Sequence, residues 1–159
     1  MIMISAKKLD KAELHKEIDL IQACITRMAN NSFLLKGWLV SIVAVILALS
    51  PDQFNKPIVF LTVTMVTISF WYLDAFFLRT EKMYRKMYTW VLEKRGIGDR
   101  EKQYDLNPHR FDDEVEGIWK VMFSKTLFPF YGIVIGIIAF SFIIIYGETM
   151  LDIICRCRN

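Results

Sequence analysis

The chain has 159 residues, 54% of them hydrophobic and 23% charged, with a formal net charge of +3. The hydrophobic share is high for a soluble domain of this length, and so small a charge excess does not demand nucleic acid as a partner. The apolar residues fall in three blocks, 33–49, 58–78 and 127–146, which excludes a separate large soluble domain.

In chain order, no cleavable secretory signal is expected. The first apolar block follows 32 residues that include Lys7, Lys8, Lys11, Lys16 and Arg27, and it leads to another span rather than to a small-residue cleavage site. A helix is predicted from about Leu9–Asp10. Its Leu14, Ile18, Ile21, Ile25 and Met28 step by four, three, four and three, as in a coiled-coil seam. This short seam predicts packing on the 83–91 face of the same subunit or association with other copies. Cys24, on the same helix, is read as a packing residue. Asn30, Asn31 and Ser32 predict a break or cap before the first span. That span is short, and it suffices if the Lys36 stem reaches up to the interface. Ser50-Pro51-Asp52 and Asn55-Lys56-Pro57 predict a tight turn and an antiparallel second span.

Residues 57–95 organise the rest. Pro57 suits a first helical turn. Across the 21 residues 58–78 only Asp74 carries a charge near neutral pH. That length is about 31 Å, enough to cross a hydrocarbon core of about 30 Å. Met83, Met87, Trp90 and Val91 then continue the helical spacing until Gly96 offers a C-cap. One continuous helix is predicted, spanning a bilayer and projecting about 25 Å beyond it. A polar loop follows. A new helix is expected near Phe111–Asp112, its start favoured by Asp112, Asp113 and Glu114, with Val115, Ile118, Trp119, Met122 and Phe123 as its apolar face. Pro129 is expected to bend the start of the third span, and Gly132 and Gly136 form a G-x-x-x-G that permits close helix contact in lipid. Cys155 and Cys157 form a C-x-C tail with no histidine cluster beside it, and no metal or cofactor is expected.

Lys and Arg number six up to Lys36, one between the first two spans, eleven in 79–125 and two after the third span. The positive-inside rule then puts the N-terminus and 79–125 in the cytoplasm and the C-terminus outside. The expected fold is all-α and integral to the membrane: three transmembrane helices with cytosolic helical extensions, assembled as an oligomeric bundle. Its parts are a cytosolic amphipathic helix (1–32), a transmembrane pair (33–78), a cytosolic helical region (79–125), a third transmembrane helix (126–147) and an external tail (148–159).

Catalysis is not expected. His15 and His109 lie in different segments, and no H-E-x-x-H, G-x-S-x-G, Walker or zinc spacing is present. Asp112, Asp113, Glu114 and Glu116 read as a solvated helix start. Asp74 is the informative carboxylate, because an intramembrane charge faces protein or water. Trp71, Thr67 and Thr64 share its stripe. Thr64, Thr67 and Asp74 line a cation path if several copies surround an axis. Alternatively Asp74 pairs with Lys36, at the same depth on the antiparallel neighbour, and the threonines bond back to their own helix. A third feature interleaves Arg79, Lys82, Arg85 and Lys86 with Tyr84, Tyr88 and Trp90. Cations beside stacking surfaces fit a single strand or a nucleotide. They equally fit anionic headgroups and an interfacial aromatic belt.

This layout, with FWYLDAFFLRTEKMYRKMY running out of the second span, resembles small membrane effectors of bacterial anti-phage systems, including the SLATT-type two-span modules. It is similar in particular to the channel effectors of the Hailong system. The likeness covers roughly residues 10–95 and is one of pattern; the third span and the C-R-C-R tail lie outside it. The resemblance implies an oligomeric inner-membrane channel that depolarises the infected cell. It implies gating by a cyclic nucleotide or a single-stranded DNA oligomer, made by a nucleotidyltransferase encoded nearby. A non-conducting membrane adaptor that docks a soluble partner through 79–125 is the competing expectation.

Overall fold

The computed structural model describes residues 11–49 and 57–157. Three expectations fall outside the described residues: the helix start near Leu9–Asp10, the turn through Ser50-Pro51-Asp52 and Asn55-Lys56, and the side chains of Cys155 and Cys157.

The described chain is helical, with α1 over Lys11–Leu49, α2 over Pro57–Gly96, a 3₁₀ segment over Pro108–Glu114, α3 over Ile118–Met122 and α4 over Phe128–Cys157. α2 is the central element; α1 lies along it, and the 3₁₀ segment, α3 and α4 all pack on it. Helices α1 and α2 are each long and apolar enough to cross a membrane, whereas the apolar part of α4 is the shorter Phe128–Ile144.

α2 runs unbroken through the junction of its apolar and charged halves. Nothing in its sequence interrupts it, and Thr62, Thr67, Ser69 and Thr80 satisfy their hydroxyls on carbonyls four residues back. The helix takes in Gly96, the residue expected to cap it. The left-handed residue that turns the chain is Gly98, with φ +78°, whose N–H donates to the Arg95 carbonyl at 3.1 Å.

Two sequence expectations fail for identifiable reasons. α1 does not break at Asn30-Asn31-Ser32. Ser32 spends its hydroxyl on a tertiary partner, Asp74, rather than on a cap. The helix expected from Phe111 is not formed either. Asn107 caps a 3₁₀ segment that starts at Pro108, and Val115 is extended at φ −119°, ψ 144°, so α3 begins afresh at Ile118. Val121 and Met122 are buried while Trp119 and Phe123 point outward.

Two apolar cores result. In the charged half, Ile21 and Cys24 of α1 meet Met83, Tyr84, Met87 and Val91 of α2, closed by Phe111. Ile21, Ile25 and Met28 of the short α1 seam therefore pack on their own subunit. Burying each such side chain stabilises the pairing by about 1.5–3 kcal/mol. In the apolar half, Leu39, Trp71, Ala75, Val121, Met122, Leu127 and Tyr131 join all four α-helices.

Candidate functional site

The second core surrounds a polar node. Lys36 of α1 places its Nζ 2.5 Å from Asp74 Oδ2 on α2. The Tyr131 hydroxyl of α4 donates to the same oxygen at 3.0 Å. Ser32, one turn before Lys36, donates to Asp74 Oδ1. The Lys36 ammonium also reaches the Ser32 hydroxyl at 3.1 Å and its carbonyl at 3.3 Å. One carboxylate on α2 thus collects three donors from two other helices, α1 and α4. The antiparallel run of α1 and α2 brings Lys36 to the depth of Asp74, and Pro129 in the first turn of α4 starts that helix just below Tyr131. Asp74 is fully buried, and the Lys36 side chain keeps 24% exposure. A buried ion pair is tolerated when its remaining lone pairs are satisfied, as they are here.

Of the proposed path-lining residues, Thr67 and Asp74 lie inside the protomer rather than on a surface that copies share. Thr67 bonds to its own helix at Val63, 2.8 Å away. Thr64 is half-buried beside an apolar groove of about 690 Å³ between α2 and α4. The stripe faces inward because α2 is flanked on both sides. Trp71, on the same stripe, stacks on Tyr131 with centroids 5.7 Å apart and donates from Nε1 to the Met122 carbonyl at 3.0 Å. Replacing Trp71 with Phe removes that bond and leaves a buried carbonyl unpaired. We expect a loss of about 1–3 kcal/mol, measurable as a lowered unfolding temperature in detergent.

The proposed ligand stretch is also engaged within the chain. Arg79 holds Asp112 at 2.8 Å and the Glu116 carbonyl at 3.0 Å. Lys82 pairs with Glu116 at 2.9 Å, Arg85 with Glu81 at 2.7 Å, and Lys86 lies 4.0 Å from Glu114. Hydrogen bonds from Lys82 and Lys120 hold the Glu116 carboxyl below its ordinary value. Tyr84 is buried, with burial and the neighbouring Cys24 thiol pushing its phenol up, and Tyr88 packs against the same core. Asp112 and Glu114, expected to favour a helix start, are instead counter-ions that with Glu116 fasten 108–116 onto α2. Arg85 and Lys86 stay exposed, at the rim of a groove of about 430 Å³ shared with Glu114 and Glu116.

Sequence reasoning missed a second buried pair. Arg95 holds Glu17 through two bonds of 2.9 Å, with side-chain exposures of 0% and 2%. The Tyr104 N–H donates to Glu17 at 3.1 Å, and Arg95 also donates to the carbonyls of Asp99 and Glu101. Residues 78 apart carry no local signal of such a pairing; the hint was only a charged Glu17 placed between the apolar seam positions Leu14 and Ile18. Among the described residues no group of three or more His, Cys, Asp or Glu is arranged to hold a metal. No known family, curated protein or solved structure matches this chain.

Proposed function

We propose that this chain is the subunit of a homo-oligomeric ion channel in a bacterial inner membrane, an effector of anti-phage defence. Its N-terminus and charged half face the cytoplasm, and α4 is its third span. The ligand is a nucleotide or single-stranded oligonucleotide made by a partner nucleotidyltransferase. The pattern shared with anti-phage effectors supports the defence setting. The observation that carries the gating mechanism is the unbroken α2, which joins the Lys36–Asp74 node to the charged half.

In this reading an anionic ligand competes with Asp112, Glu114 and Glu116 for Arg79, Lys82 and Lys86. Segment 108–116 loosens. The movement passes through α3 to Trp71, and so to Tyr131 and Asp74. A single protomer keeps Asp74 covered, so conduction requires several copies and a rearranged node. The test is membrane potential in bacterial cells expressing the chain alone, beside planar-bilayer recording with candidate oligonucleotides. Depolarisation or stepwise currents are expected, with Asp112→Asn and Glu116→Gln together shifting the ligand response. Silent bilayers at confirmed insertion would count against conduction. A second reading, a membrane adaptor, draws support from the intrachain pairing of the cations, and it expects no current and no change in membrane potential.

A further inference from the structure

The outward face of α3 has no use in the proposed mechanism. Trp119 is 68% exposed, Phe123 61% and Phe128 51%. Their neighbours Lys120 and Lys125 are exposed too. The opposite face of α3, Val121 and Met122, fills the core, so the helix has no room to turn its aromatics inward. Its depth is fixed by two contacts on Trp71, the bond to the Met122 carbonyl and an edge contact of 5.2 Å with Phe123. Trp71 lies one turn from Asp74 in the apolar half of α2. The patch reaches the start of α4 through Phe128, whose ring lies 6.2 Å from that of Phe123. On the water side Glu116 is shared between Lys82 and Lys120, at 2.9 and 3.0 Å, which leaves the corner net positive.

We propose that α3 and the turn after it form an interfacial anchor for an anionic phospholipid surface. Trp119, Phe123 and Phe128 sit at the boundary of acyl chains and headgroups, where amphipathic rings are favoured. Lys120 and Lys125 hold lipid phosphates. Phe33 on α1, 77% exposed, is next to Ser32 and so lies near the level of the Asp74 node. The anchor fixes the inner boundary of the bilayer at the Asp74 node and holds whether or not the chain conducts.

The test uses the full chain in nanodiscs of phosphatidylglycerol or phosphatidylcholine, with bromine carried at shallow acyl positions. Subtracting the emission of a Trp119→Phe variant isolates Trp119 from Trp38, Trp71 and Trp90. The Trp119 component should be blue-shifted, lose most of its intensity to bromolipid and little to iodide. With Lys120→Glu and Lys125→Glu together, the loss in phosphatidylglycerol should fall to the phosphatidylcholine level. A component quenched by iodide alone faces water, and one quenched by neither is covered by another chain. Either result overturns the proposal, as does a double variant indifferent to lipid charge.

Discussion

Lys36→Met should destabilise the folded chain far more than Asp74→Asn. Removing the lysine strands a carboxylate that has no exposure, and an uncompensated buried charge costs about 3–5 kcal/mol. Ser32 and Tyr131 would still donate to it, but two neutral donors do not replace an ammonium. Asp74→Asn leaves no buried charge, because Lys36 can withdraw along its exposed side. The asparagine carbonyl can still accept from Tyr131, which limits the loss to about 1–2 kcal/mol. Lys36→Met combined with Asp74→Leu should recover most of what Lys36→Met loses. Thermal unfolding in detergent of the wild type, the two single variants and the double variant reads this order. Equal losses for the two single variants would mean that the pair is not buried as described.

The second large effect belongs to Arg95. Arg95→Ala should cost about 3–5 kcal/mol, since Glu17 is left charged and enclosed. Burial by itself raises the Glu17 pKa. The Arg95 and Tyr104 hydrogen bonds and the charges of Arg95 and Arg110 outweigh it, so the carboxyl sits below its ordinary value of 4.5. A carboxyl lowered on folding stabilises fully above its unfolded pKa, and that contribution is lost as pH falls through the folded value. The wild-type clasp should therefore hold at neutral pH and loosen only in acid below about 4.5. In Arg95→Ala burial dominates and the sign reverses. That variant is most stable in acid and weakens as pH rises toward neutrality. Hydrogen exchange of the 97–107 loop, followed against pH, reads both trends. Parallel pH profiles in the two proteins would contradict the clasp.

What was legible in the sequence was what is periodic or rare. The apolar run of 58–78 followed by Met83, Met87 and Val91 marked α2 as one rod, because period and breaker residues are local properties. Lys36 and Asp74 could be set at one depth because two antiparallel helices joined by a short turn share a ruler. Ser32 and Tyr131 could not be added to them, since one resembled a cap and the other lies 57 residues from Asp74 with no local sign of the pairing. The inward direction of Thr67 and Asp74 depended on what flanks α2 on both sides, which no single helix discloses. The acidic run 112–116 misled for a related reason. Favourable local electrostatics at a helix start and favourable tertiary pairing with Arg79 and Lys82 ask for the same residues, and here tertiary pairing prevailed.

The continuity of α2 has a mechanical consequence. Taking the Asp74 node as fulcrum, its arms reach about 25 Å to Pro57 and about 33 Å to Gly96. A swing of about 5° would then carry the Gly96 end by about 3 Å, the width of a water molecule. Displacements on that scale at one end are felt at the other without any bend between. A proline at position 80, which would put a joint in the shaft, should leave both ends folded and deaf to each other.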